Sequence, residues 1–220
     1  MPSPVPLLYR KPQEDRDYWI LDEALKDPEA VIARAFSRED WIYGFPHRQE
    51  PWPGMRALQA LTPEELEPLE AFVKKVTGAK RLWQGSTPEG ATLNHNCFQL
   101  VGKDESGPRP HTDSLKLCRF AAVIYLNPKP PEGTGTTFFR QRLSGGKLGG
   151  NAVQLPATNL AEALGMSKMP LDTWAPEMEL ANRYNRMVVY KANLIHSATR
   201  YFGREPKDRR LTAVFFWMAE

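Results

Sequence analysis

Cysteine is scarce in this chain of 220 residues: there are two, Cys97 and Cys118. Neither belongs to a Cys-x-x-Cys motif, which excludes a disulfide scaffold and a thiolate zinc site. Both lie in apolar segments and read as buried free thiols. Long hydrophobic runs are missing as well, since no segment approaches the ~18–20 apolar residues of a membrane span. Between Met1 and Arg10 there is no charged start followed by a long apolar core, so a secretory signal is not expected there. Charge of one sign is also lacking: 29 Lys and Arg against 26 Asp and Glu leave a net +3. That balance does not suit a phosphate-gripping surface. The one basic cluster, Arg200, Arg204, Lys207, Arg209 and Arg210, reads as an anion-binding arginine beside a solvated turn. The expectation is a soluble cytoplasmic protein that binds neither nucleic acid nor membrane.

What is present is the composition of an ordinary globular domain, 41% hydrophobic and 25% charged. One domain spanning 1–220 is the simplest organisation, with residues 1–90 as helical and loop support and 91–220 as a β core. Tyr18–Leu21 reads as a strand. Asp27 and Pro28 open a helix that turns Val31, Ile32, Ala35 and Phe36 inward. Residues 41–55 form a loop rich in aromatics and proline, in which His47 reads as polar surface. Thr62, Pro63 and Glu65 make a capping box, and the helix they start carries Leu66, Leu69, Phe72, Val73 and Val76 on one face before stopping near Gly78.

Beyond that point strands dominate. They are expected over Ala91–Val101, Leu115–Leu126, Thr134–Arg140, Arg186–Tyr190, Leu194–Ala198 and Arg210–Met218. Residues 141–185 read as an insertion of low periodicity that can serve as a lid, with a short helix over Asn159–Leu164. Helices followed by strands predict an α+β, mainly β, chain.

Chemistry concentrates on His111, Asp113 and His196. Two imidazoles and a carboxylate are the donor set of a facial triad that holds non-heme iron with positions left open. His111 and Asp113 are two apart, so an extended backbone projects both to one face. In isolation the same residues fit a loop hydrogen bond between His111 and Asp113, with His196 capping a strand. His95 reads as part of a polar sheet face or pocket wall rather than a fourth ligand, and Asn94, Asn96 and Gln99 are candidates to touch a substrate. The glycine pairs at 145–146 and 149–150 lack the strand-glycine-helix setting of a nucleotide loop, and no Ser-His-Asp or Cys-His arrangement has supporting context.

The surroundings of the triad carry a resemblance. The segment Arg119–Asn127, ending in Tyr125, Leu126 and Asn127, is followed by a turn from Gly133 to Phe138. Val188–Ala198 then delivers His196, and Arg209–Trp217 closes the chain. In this order the parts resemble the prolyl-hydroxylase-like branch of the Fe(II)/2-oxoglutarate-dependent dioxygenases. The resemblance covers roughly 91–217, leaving 141–185 unaccounted for. It implies a double-stranded β-helix core (jelly-roll, cupin-like) and Fe(II) held by His111, Asp113 and His196. It further implies 2-oxoglutarate as cosubstrate, O2 as oxidant, and hydroxylation of a small molecule, amino acid or peptide side chain.

The far carboxylate of 2-oxoglutarate would pair with Arg210, whose fork matches it bidentately. Thr212, two residues on, would reach the same interior, and Tyr125 would donate its hydroxyl. Tyr125 reads equally well as a core residue, and a bulge would exchange Arg210 for Arg209. Two features depart from the family pattern: a long spacing between His196 and Arg210, and an altered glycine turn. A cupin-like metalloenzyme without 2-oxoglutarate and a catalytically silent β-sandwich binding module stand as alternatives. The oligomeric state is open.

Overall fold

A computed structural model describes residues 6–44, 52–166 and 170–220. His47 and the rest of residues 45–51 of the aromatic loop therefore lie outside the described residues. Eleven strands are found among the described residues: β1 (Tyr18–Leu21), β2 (Ile42–Tyr43), β3 (Met55–Leu58), β4 (Leu82–Trp83), β5 (Cys97–Val101), β6 (Phe120–Tyr125), β7 (Thr136–Gln141), β8 (Trp174–Leu180), β9 (Met187–Lys191), β10 (His196–Ala198) and β11 (Arg210–Ala219). Three α-helices accompany them: α1 (Pro28–Phe36), α2 (Pro63–Thr77) and α3 (Leu160–Leu164). The large sheet runs β1-β9-β6-β11-β5-β3-β2, with β4 also on β11, and a small sheet runs β10-β7-β8. Every pairing is antiparallel.

The helices form where their caps predict. The Asp27 side chain accepts from the Ala30 amide. Thr62 and Glu65 complete the capping box of α2, and Gly78 ends that helix in the left-handed region at φ 77°. Val31, Ala35, Leu69 and Val73 are buried against the large sheet, while Ile32, Phe36, Leu66, Phe72 and Val76 pack around them. Trp217 on β11 donates its indole N–H to Glu70 of α2 at 2.9 Å, so sheet and helix are joined by a polar link inside the apolar layer.

Strand periodicity divides the residues between two interiors. On β6, Ala122 and Ile124 face the helices, whereas Ala121, Val123 and Tyr125 face the small sheet with Phe138, Val188 and Tyr190. On β11, Leu211, Ala213, Phe215 and Trp217 face the helices. Alternate residues Arg210, Val214 and Phe216 line a cavity between the sheets. One sheet thus supplies a helix-packed core on one face and a site on the other.

Three expectations need correction. Of Ala91–Val101 only β5 is a strand, because Asn96 adopts φ 51° and turns its carboxamide onto the Leu61 backbone. Leu115–Leu117 is a turn rather than the start of β6. The interval 141–185 is not irregular throughout: it holds β8, which pairs along β7 with a bulge between Phe138 and Phe139. Pro176 within β8 hid this strand, yet β8 is an edge strand, where proline is tolerated. Residues 151–153 also bond to Leu8 and to residues 193–195.

Candidate metal centre

His111 and His196 meet in an isolated antiparallel bridge at the edge of the small sheet, since His196 opens β10. The Asp113 amide donates to the Ala192 carbonyl at 3.0 Å, which fixes the segment two residues further along. Backbone pairing thus brings three side chains from two distant segments of the chain to one point. One donor atom from each of His111, Asp113 and His196 lies within 4.8 Å of the others. His111 Nε2 is 3.9 Å from Asp113 Oδ1, and His196 Nε2 is 3.7 Å from Asp113 Oδ2.

The other ring nitrogen of each histidine is spoken for. His111 Nδ1 meets the Arg109 carbonyl at 2.7 Å and His196 Nδ1 meets the Leu194 carbonyl at 2.9 Å. A carbonyl can only accept, so Nδ1 carries the proton and Nε2 keeps its lone pair toward the cluster. Desolvation, with the His196 charge adding to it, lowers His111 to about 4. Desolvation likewise lowers His196 to about 4. Both rings are neutral at pH 7, the form a metal takes up. Burial raises Asp113 to about 6, and its Oδ2 is buried without a hydrogen-bond partner. Two aimed lone pairs and an unsatisfied carboxylate oxygen fit a cation between them.

The cluster opens into a cavity of about 400 Å³. Tyr190 packs on His196 with ring centroids 4.4 Å apart, and Trp52 packs edge-on against His111 at 4.7 Å. Asn159, Leu160 and Met166, around α3, complete one wall. Thr112, between the two segment ligands, accepts from the Leu160 amide at 3.0 Å. The wall and the triad are therefore joined by one hydroxyl.

Arg210 faces this cavity and is 2% exposed. Its Nε donates to the Thr134 carbonyl at 3.2 Å, and its guanidinium lies 5.5 Å from the Tyr125 ring centre. No carboxylate among the described residues pairs with it. Arg209 points away, bound to Glu105 at 2.8 Å and to the Arg204 carbonyl. Tyr125 and Thr212 lie behind the wall. The Tyr125 hydroxyl is engaged with Thr136 Oγ1 at 2.8 Å, and Thr212 Oγ1 contacts Gln99 Oε1 at 3.5 Å. Thr136 and Gln99 reach the cavity in their place.

Thr136, Tyr190 and Arg56 also line the cavity, and no sequence motif marks them. The register Arg56–Gln99–Thr212–Tyr125 across β3, β5, β11 and β6 places Arg56 in the same row as the predicted residues. No motif announces such a row, because it exists only after the strands pair. Of the polar group near β5, His95 is excluded from the cavity wall: its Nδ1 contacts the Phe216 backbone and its ring packs against Phe215 and Trp217.

Residues 4–217 match the family of unknown function DUF6445. The chain belongs to this family. No curated protein matches it in sequence. Solved structures do match in shape. The non-heme alpha ketoglutarate dependent carbocyclase SnoK from nogalamycin biosynthesis is 13% identical with a TM-score of 0.55, covering 93% of this chain and 81% of that one. A prolyl hydroxylase from Trichoplax adhaerens, in complex with a hypoxia inducible factor peptide fragment, is 8% identical with a TM-score of 0.51, covering 92% and 84%. HygX from Streptomyces hygroscopicus, with nickel, 2-oxoglutarate and hygromycin B bound, is 16% identical with a TM-score of 0.50, covering 90% and 81%. This DUF6445 chain therefore has the double-stranded β-helix fold of the iron- and 2-oxoglutarate-dependent oxygenases. None of its described helices is long and apolar enough to cross a membrane.

Proposed function

We propose that this DUF6445 protein is an Fe(II)- and 2-oxoglutarate-dependent oxygenase. The observation that carries the reading is one cavity holding both a His111–Asp113–His196 donor cluster and the buried guanidinium of Arg210, which no carboxylate among the described residues meets. A buried arginine without a carboxylate partner is costly unless an anion arrives to meet it. A dicarboxylate spanning from cluster to arginine satisfies both ends. HygX, of the same fold, holds nickel and 2-oxoglutarate together.

Each residue then has a task. His111 and His196 offer Nε2 because their Nδ1 protons are held by backbone carbonyls, and Asp113 supplies the anionic ligand. Arg210 grips the far carboxylate of 2-oxoglutarate, with the Thr136 hydroxyl as a second contact at the cavity wall. Tyr190 and Trp52 pack on the two imidazoles and hold their rings in place. When bound, iron and 2-oxoglutarate supply the oxidising power: O2, 2-oxoglutarate and a substrate C–H give succinate, CO2 and an alcohol. The family of acceptable substrates includes small molecules, amino acids and peptide side chains. Incubation with Fe(II), 2-oxoglutarate and O2 tests the reading. Succinate forms in the wild-type chain and not in Asp113→Ala, whereas no succinate in either overturns it.

A further inference from the structure

Four asparagines of this chain do the same job. The carboxamide of Asn151 accepts from the Arg10 amide and donates to the Arg10 carbonyl. Asn185 does so with Leu25, and Asn96 with Leu61. Asn127 spans two neighbours, accepting from the Leu211 amide and donating to the Arg209 carbonyl. Each pairs with backbone through one acceptor and one donor held side by side.

Asn94 has no backbone to read. It is 2% exposed, lines the cavity that holds the donor cluster, and neither Oδ1 nor Nδ2 has a hydrogen-bond partner among the described residues. The main chain around it is nonetheless fixed. The His95 amide donates to the Leu93 carbonyl, which also accepts from Gln84, and the His95 ring contacts the Phe216 backbone. Two unsatisfied polar atoms in a buried side chain cost stability, and an asparagine kept there at that cost calls for a partner from outside.

We infer that Asn94 binds the backbone of a peptide substrate, pairing with the N–H and C=O of one residue as Asn96, Asn151 and Asn185 do within the fold. A carboxylate would leave Oδ1 facing negative charge, and an ammonium would leave Nδ2 unmet. A peptide unit satisfies both atoms at once. Val123, Val214 and Phe216 give the same cavity an apolar wall for the adjoining side chain. The inference narrows the substrate class of the oxygenase reading and rests on it for the chemistry, though not for the binding.

The test compares the wild-type chain with Asn94→Leu, which keeps the size and removes both polar atoms. The probe is a mixture of randomised tripeptides, acetylated and amidated at their ends, with binding followed by saturation-transfer NMR. Both proteins are used metal-free and again with Zn(II) and 2-oxoglutarate. Thermal unfolding of each is measured alongside. The expected result is that the wild type binds the mixture, Asn94→Leu binds it at least tenfold more weakly, and the variant melts a few degrees higher. Equal binding by both proteins, no binding by the wild type, or a lower melting temperature for Asn94→Leu would overturn the inference. Failure of the oxygenase reading shows separately, as absence of succinate formation in a wild type that still binds the peptides through Asn94.

Discussion

His111 and His196 sit directly opposite each other in an antiparallel bridge, each amide donating to the other's carbonyl, at 3.0 and 2.9 Å. A hydrogen-bonded antiparallel pair places both side chains on the same side of the ribbon. The ring centroids are accordingly 4.5 Å apart. Because the bridge is made by backbone atoms, it survives loss of either ring. His196→Ala is therefore expected to keep its secondary structure by circular dichroism while losing Fe(II) affinity by at least ~100-fold, more than an outer partner of a ligand costs. Equilibrium metal binding on the folded variant checks this.

Arg210 and Arg209 are neighbours with opposite fates, one inside the cavity and one paired with Glu105. Arg210→Leu should raise the 2-oxoglutarate concentration needed for half-saturation by ~10–100-fold, the worth of a charge-assisted hydrogen bond. Arg209→Leu should change it by no more than about threefold, as expected for a partner lost at the rim. Titration of both variants with 2-oxoglutarate separates them. Equal effects would contradict the assignment.

Asn127 holds the residues on either side of Arg210, through Arg209 O and Leu211 N. It is a positioning residue. Asn127→Ala should cost ~1–3 kcal/mol of stability by leaving the buried Leu211 amide unpaired. It should also weaken 2-oxoglutarate binding without altering Fe(II) binding, which a purely structural residue would not do selectively. Denaturant unfolding and the two titrations decide.

Glu162 ties α3 to the residues before it: its carboxylate accepts from the Thr158 amide at 2.8 Å and hydroxyl at 2.7 Å, and faces Lys116 at 3.1 Å. The Thr158 hydroxyl and amide, with Lys116, hold its pKa down to about 2 from an ordinary 4.5. A depressed carboxylate pKa favours the folded state above the unfolded value, and that contribution disappears as pH falls from 4.5 toward 2. Glu162→Gln should consequently melt below wild type at pH 7, and the gap should close as the pH falls through that window. A gap independent of pH would contradict the assignment of the shift to Glu162.

Much of this arrangement is legible in the chain itself. The caps at Asp27 and Thr62, the apolar faces of α1 and α2, and the short helix after Asn159 follow from local rules and appear in the fold. Arg210 as the inward arginine follows from the resemblance, and the structure decides it over Arg209 because Leu211, its neighbour on β11, belongs to the helix-packed core. The failures share one cause, tertiary pairing. Trp174–Leu180 becomes a strand only because β7 lies beside it. Asn96 interrupts a strand-like run because Leu61 offers its backbone. Tyr125 points toward the right interior yet spends its hydroxyl on Thr136, a contact between strands that no spacing reveals.

If one cavity takes iron at His111, Asp113 and His196 and 2-oxoglutarate at Arg210, anaerobic addition of Fe(II) and then 2-oxoglutarate gives a visible absorption signature of both. A weak charge-transfer band is expected that requires both additions, is lost in Asp113→Ala, and needs far more 2-oxoglutarate in Arg210→Leu. A wild-type chain that gives no band with both present, or one whose band is indifferent to Arg210, would contradict that arrangement.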